Sequence, residues 1–389
     1  MAFSHHPAPR SPRCLSRSAL IAALASATTL QAALWESPGW ALVGSAEAGG
    51  GYDSNLYARA DGDEDSFVYA IPTLRLFRHA SLTQFEVRTQ LHATKFFQET
   101  TEDSYDPSLY IGYAYPFTED TLAAQEINAA FVQSSHANAD VGGRLEQRES
   151  SLSWEGNISP TGKSVWRGRA GWQRFDYAED NYNTNETFTA GIAYLLAPHE
   201  LLQLGAGYGF DFSTSTPQLD APKTESLQHS FTLRGRGSFS SKLTGLFYVG
   251  FATIDYSGAQ DRSDRDVIAG ARLEWAARER LLLGSQLDRK SYFSPGGDAV
   301  TRTTFLVDAA QQLAGGFTLR VGTQFDYSDH RGVTYVRNDF RAGVTGGIEY
   351  AFTDRFSASL TGSWATQTSD IDLYEFDRTT ATGRVLLRF

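Results

Sequence analysis

Phe317-Thr318-Leu319-Arg320-Val321-Gly322-Thr323-Gln324-Phe325-Asp326-Tyr327-Ser328 alternates residue by residue. In an extended strand Phe317, Leu319, Val321, Phe325 and Tyr327 share one face, and Thr318, Arg320, Gln324 and Asp326 share the other. A slip of one residue would carry Arg320 onto the apolar side, so the register is strongly specified. The same pattern sets Phe340, Ala342, Val344, Ile348 and Tyr350 against Arg341, Thr345 and Glu349, and Phe85, Val87 and Leu91 against Glu86, Arg88 and His92. The polar face is therefore charged as well as hydrophilic.

Working outward from this strand, the unit repeats from Ala41 to Phe389: an alternating stretch, a short turn, another stretch, a longer polar loop. Short turns are expected at Thr118-Glu119-Asp120, Ser159 to Lys163, Ala197-Pro198-His199, Ser240-Ser241-Lys242, Arg278-Glu279-Arg280, Ala314-Gly315-Gly316 and Thr353-Asp354-Arg355. Longer acidic, Asn- and Gly-rich loops are expected at Ser54 to Asp65, Gln98 to Ser104, His136 to Gly143, Glu179 to Asn185 and Ser213 to Glu225. Strict alternation of long and short is the pattern of outer-membrane barrels, whose periplasmic turns are short. The reading is an all-β transmembrane antiparallel meander barrel of about eighteen strands, each of roughly 10 to 14 residues, with both termini periplasmic.

Composition agrees. Of 389 residues 41% are apolar, 13% aromatic and 20% charged, with 35 Gly and 18 Tyr, which suits many short strands joined by turns. Arg10, Arg13 and Arg17 precede the short apolar run Ala19 to Ala25, which reads as a secretory signal over 1–33 with cleavage between 27 and 33. Cys14, the single cysteine, lies ahead of that run and can supply no disulfide. No later apolar stretch reaches the roughly 18 to 20 residues of a spanning helix. A short periplasmic lead is expected over 34–40 and the barrel over 41–389. That lead is too short for a helical-repeat scaffold, which would have to be a separate chain.

Aromatics gather where strands meet the longer loops: Phe175 and Tyr177, Phe210 and Phe212, Tyr256, Tyr292 and Phe293, Phe325 and Tyr327. They are expected to form the outer interfacial girdle. The last strand ends in Val385, Leu387 and Phe389 on one face, with Arg384 and Arg388 opposed. That ending resembles the signal by which barrel-assembly machinery inserts bacterial outer-membrane proteins.

A barrel of this size has an aqueous interior unless something fills it. Alternation assigns Arg88, Arg167, Arg169, Arg234, Arg236, Arg272, Arg320, Arg341 and Arg384 to the lumen, with Lys290, Arg302 and Arg378, against acids such as Glu86, Glu155, Asp288, Asp308, Asp326 and Glu349. Either these charges pair across strands and stiffen the wall, the favoured reading, or unpaired arginines attract anionic solutes or acidic sugars. The net charge of −11 concentrates in the loops, as at Asp61, Asp63, Glu64 and Asp65, Glu99, Glu102 and Asp103, Glu179 and Asp180, and Asp370 and Asp372. Solvated loops account for these acids better than cation bridges to lipopolysaccharide, and no ordered calcium-site spacing occurs. Neither catalytic Ser/His spacing nor zinc or phosphate motifs stand out, so no enzyme, metal or cofactor is expected, and no nucleic-acid partner.

Gly51-Tyr52-Asp53-Ser54-Asn55-Leu56-Tyr57 resembles the opening of the β-barrel porin 2 family, and Asp-Tyr recurs at strand tops at Asp176-Tyr177, Asp255-Tyr256 and Asp326-Tyr327. The resemblance implies an outer-membrane barrel, in some members linked to exopolysaccharide secretion, and supplies no catalytic residues. Three functions compete: a conduit for an acidic polysaccharide or a secretion partner, a passive porin for small hydrophilic solutes, and a structural barrel with a blocked lumen. No loop exceeds about fifteen residues, so an inward-folded constriction is not expected. For the same reason a monomer is.

Overall fold

The structure, a computed structural model, describes residues 33–80, 83–115, 123–161, 163–199, 201–218, 222–259, 261–332 and 335–389. The signal segment with its cleavage site, Cys14 and the Thr118-Glu119-Asp120 turn lie outside the described residues.

Nineteen strands follow in order: β1 (Trp35–Ser37), β2 (Trp40–Asp53), β3 (Asp65–Ala80), β4 (Thr83–Phe96), β5 (Ser104–Tyr115), β6 (Ala123–Asn138), β7 (Gly143–Ile158), β8 (Ser164–Tyr177), β9 (Thr184–His199), β10 (Leu202–Thr216), β11 (Thr224–Ser238), β12 (Leu243–Gly258), β13 (Arg262–Arg278), β14 (Leu281–Phe293), β15 (Ala299–Gln312), β16 (Phe317–Arg331), β17 (Val336–Ala351), β18 (Phe356–Ser369) and β19 (Phe376–Arg388). From β2 to β19 each pairs antiparallel with the next, and β19 pairs back onto β2, which closes an eighteen-strand barrel. An even ring puts the start of β2 and the end of β19 at the same end, the end that carries the hairpin turns after β3, β5 and so on.

The seam depends on bare backbone. A Cβ on Gly49 would stand 2.4 Å from the Gly383 carbonyl oxygen, and one on Gly51 2.6 Å from that of Ala381. Across the seam Arg378 Nε donates to Asp53 Oδ1 at 2.9 Å, and Arg384 Nη1 lies 3.3 Å from Glu47 Oε2. The stretch that carried the family resemblance has a structural task here. Asn55 donates to the carbonyls of Arg59 and Asp377, and Leu56 is fully buried, so this stretch folds the first loop against the seam. The lead is not merely a linker either. β1 turns through Gly39, at φ +81°, and pairs with β2 from Leu42 to Trp40, just where β19 runs out at Ser45. The otherwise open edge of β2 is thereby covered.

The alternation at Phe317–Ser328 is realised: Phe317, Leu319, Val321, Phe325 and Tyr327 point out and are exposed, while Asp326 and Ser328 are buried inside. Leu152, Leu233, Phe251, Leu360 and Trp364 continue the outer apolar belt around the ring. A continuous apolar belt of this kind far exceeds the patch that a soluble monomer exposes and matches the lipid-facing band of a transmembrane barrel. Among the described residues no helix is long and apolar enough to cross a membrane.

Two expectations need correction. Strands β2 to β19 run from 12 to 17 residues, longer than anticipated, and the connections are not strictly unequal. At the loop end they range from eleven residues (54–64) to three (259–261), while at the other end the interval between β5 and β6 spans seven (116–122). Only the ends of the polar stretches that read as loops are strand, as at 136–138 and 213–216, because ladder pairing continues a few residues beyond the apolar belt.

Candidate functional site

β6 and β7 pair with each other out to Asn138↔Gly143. On one side, however, β5 holds β6 only as far as Val132, and on the other β8 holds β7 only to Gln147. Residues 133–146 therefore form a hairpin with no ladder neighbour. Pro107, which has no N–H to offer, lies beside the point where β6 departs from β5. Asp106 then ties the departing strand, accepting from the Ser135 N–H at 3.1 Å and the Ser135 hydroxyl at 2.9 Å. At the tip the Asp140 N–H donates to Asn138 Oδ1 at 2.9 Å, and Gly142 takes a positive φ of +60°.

This tip reaches the far wall. Asp140 accepts from the Tyr292 hydroxyl at 2.9 Å and pairs with Arg302, and its carbonyl accepts from Arg337 Nη2 at 3.0 Å. Those partners lie on β14, β15 and β17, and β15 is the ninth strand on from β6 in a ring of eighteen. Beneath the tip Asp339 Oδ2 lies 3.1 Å from His330 Nε2 and 3.0 Å from Arg337 Nη2. Arg337 and His330 are fully buried, and the Arg337 guanidinium stacks 3.6 Å from the centre of the Tyr374 ring. A charge that dry persists only when it is paired, as here.

Other loops join the closure. Asn183 N–H donates to the Pro295 carbonyl at 2.8 Å, and Asn185 to that of Ser294 at 2.9 Å, bridging β9 to the loop after β14. Tyr335 donates to Asp298, and burial with that neighbouring carboxylate pushes its phenol well above the ordinary tyrosine range. Arg144 of the hairpin lies 3.1 Å from Glu102 and stacks over Phe96. The segment bearing Glu102 is held by Asp65, which accepts the N–H groups of Gln98 and Glu99 at 2.8 Å each. Burial raises the Asp65 carboxyl, but these backbone donors outweigh it and hold it below the usual carboxylate range. Asp65 and Glu102 are thus structural partners, not freely solvated loop acids.

The girdle expectation is half corrected. Phe210, Phe212, Phe325 and Tyr327 occupy outward positions, but Tyr256 and Phe293 pack with Ala252, Ile254 and Ala299 in a buried cluster, Tyr177 is buried, and Tyr292 contacts Asp140 inside the mouth. Phe175, opposite the inward Glu149, also faces in. Phe175, Tyr177, Tyr256 and Tyr292 share the inward phase of Arg167, Arg169, Tyr248 and Asp288, so alternation itself places them inside, and among these residues only Phe293 has the outward phase.

Lower down, the register puts Arg88, Arg167, Arg169, Arg234, Arg236, Arg272, Arg320, Arg341 and Arg384 on the inward face, opposite in phase to the belt. They differ in company. Arg272 pairs with Glu274 at 2.6 Å and Arg384 with Glu47 at 3.3 Å. Arg88 lies over Tyr110, Arg341 over Phe376, and Arg167 and Arg234 bond to Asn157 and Thr232. Among the described residues Arg88, Arg167, Arg169, Arg234, Arg320 and Arg341 form no ion pair. Val385, Leu387 and Phe389 point outward, with the Phe389 N–H donating to the Gly44 carbonyl at 2.9 Å.

Asp140, Tyr292, His330 and Arg337 were not singled out as a site by the sequence. The available signal was Arg337-x-Asp339 beside His330, charges that keep inward phase above the end of the apolar belt. Among the described residues no group of three or more His, Cys, Asp or Glu could hold a metal ion.

No known protein family matches the sequence, and neither does any curated protein. Among solved structures, the siderophore receptor PiuA from Acinetobacter baumannii is similar with a TM-score of 0.52 at 9% identity, over 91% of this chain and 82% of that one. The ferric citrate transporter FecA in its unliganded form gives 0.48 at 8% identity, over 89% and 78%, and OccAB3 from Acinetobacter baumannii 0.48 at 11%, over 90% and 99%. At such identities the likeness is one of fold. The resemblance to the β-barrel porin 2 family is not confirmed, and the supported statement is the coarser one: the chain has the fold of outer-membrane β-barrels.

Proposed function

We propose that the chain is a gated channel in the outer membrane of a Gram-negative bacterium, its loop end outward and both termini periplasmic, serving as the conduit of an exported acidic polysaccharide or of its secretion machinery. One observation carries the gating: the 133–146 hairpin is anchored through Asp140 on the opposite wall, above a lumen in which Arg169 is still exposed. A passive porin has no use for a fully buried arginine at its mouth, whereas a latch does. The polysaccharide assignment is supported by the arginine-bearing lumen and by the Gly51 to Tyr57 resemblance. Lipopolysaccharide would surround the outer belt, and the Val385, Leu387 and Phe389 terminus would be read by the assembly machinery.

A permanently blocked structural barrel is the second reading, favoured by the same cross-mouth contacts. The two part on whether the hairpin can leave. Asp140→Ala removes the part-buried carboxylate from Arg302 and Tyr292 while its carbonyl still meets Arg337, a loss of about 1.5 to 3 kcal/mol that shifts the closed state by about ten- to a hundredfold. In planar bilayers the wild type should show rare openings and Asp140→Ala frequent ones, with an acidic oligosaccharide interrupting the current. If neither protein conducts, the lumen is blocked and the channel reading fails. If the wild type conducts steadily and Asp140→Ala is no different, the hairpin is not a gate.

A further inference from the structure

We infer that the inward face of β8 to β11 is a binding site for an oxyanion, the carboxylate or phosphate group of a solute in the lumen. Its floor is glycine. Gly191 on β9 and Gly205, Gly207 and Gly209 on β10 hold inward positions between Arg167 and Arg169 on β8 and Arg234 on β11. A Cβ at Gly207 would stand 2.8 Å from Arg234 Nε, one at Gly191 2.9 Å from Arg169 Nε, and one at Gly209 3.5 Å from Arg169 Nη2. Two arginines rooted three strands apart therefore reach over bare backbone from opposite sides. They end above inward positions of the same strand that are about 7 Å apart.

Among the described residues no carboxylate meets them at contact distance. Arg234 Nε donates to Thr232 Oγ1 at 2.7 Å and Arg167 Nε to Asn157 Oδ1 at 2.9 Å, both neutral acceptors. Glu155 stands opposite Arg169 in the ladder, yet among the described residues it forms no ion pair with it. Asp211, on the same face of β10, accepts instead from Gln228 at 3.2 Å. The tethers occupy Nε, and among the described residues the Nη donors of Arg167 and Arg234 have no hydrogen-bond partner, the Arg234 guanidinium lying 5.9 Å from the centre of the Tyr248 ring. That fork is the part of a guanidinium that grips carboxylate or phosphate bidentately. Like charges this close repel one another, and an arriving oxyanion relieves the repulsion.

This site rests on the lumen being a solute path, but its test does not need the gate to open. Calorimetry of the full chain in detergent, with tricarballylate in one arm and pyrophosphate in the other, reads binding without conduction. Binding by either supports the site and says which oxyanion it prefers. Replacing both Arg169→Gln and Arg234→Gln should weaken that binding about tenfold or more, and Gly207→Ala should weaken it by displacing Arg234, whereas Arg384→Gln at the seam should not. Arg234→Lys keeps the charge without the fork and serves if the double variant fails to refold as a heat-modifiable barrel. The inference is overturned if neither anion binds the wild type, or if binding survives both the double variant and Arg234→Lys undiminished.

Discussion

Arg337 at the mouth and Arg169 in the lumen are the same side chain under opposite rules. Arg337 is fully buried and meets Asp339, the Asp140 carbonyl and the Tyr374 ring. Arg169 is exposed to the interior and has no ion-pair partner among the described residues. Desolvating a guanidinium costs several kcal/mol unless partners are supplied, so a dry mouth must be built of matched charges. A wet lumen makes no such demand, and its arginines can stand ready for a mobile anion. The difference shows where the molecule spends charge on holding itself together and where it leaves charge for something else.

The strongest way to break this contrast is to strip the mouth of its cation. Arg337→Ala leaves Asp339 and the Asp140 carbonyl short of a donor in a dry site, at about 3 to 5 kcal/mol. The hairpin should undock, and trypsin should then cut at Arg144 much faster than in the wild type. An equally resistant hairpin would show that the mouth is held by other means. Acid probes the hairpin's second anchor. Because the Asp65 carboxyl is depressed in the folded protein, its contribution is complete above the ordinary value near 3.8 and is lost as pH falls through the lower folded value. Hydrogen exchange in the 97–103 segment should therefore be flat from pH 8 to about 5, once the intrinsic rate is removed, and rise only below about pH 4.

Smaller effects belong to the lumen. Arg169→Gln removes one exposed cation, so the reversal potential in a salt gradient should move toward cations by a few-fold in permeability ratio, with thermal stability unchanged. An unmoved potential would mean that Arg169 does not face the ion path. Arg384→Gln should do least. Its ion pair with Glu47 is close to half exposed and worth under about 1 kcal/mol, so neither melting temperature nor selectivity should change measurably.

Much of the barrel was legible in Phe317–Ser328, because a period of two with charge on one side and aromatics on the other admits a single placement between lipid and lumen. The closure of the mouth was not. Phe293 shares the phase of outward Leu287 and so looks like a girdle residue, yet it packs against the inward-phase Tyr256, because β14 leaves the β13 ladder after Arg289. Nor could loop length reveal a constriction. The connection at 139–142 is four residues long, and what crosses the mouth is paired strand.

Sequence by itself determined the strand phase and the count of about eighteen, because side-chain alternation is a local property of extended backbone. Only the tertiary structure decided that 133–146 leaves the wall, that Asp140 meets Arg302 and Arg337 on the far side, and that Arg169 and Arg234 converge over Gly207 and Gly209. Those are contacts between strands up to half a ring apart. They are set by closure of the sheet and by the need to pair charges once water is excluded, neither of which leaves a period in the chain.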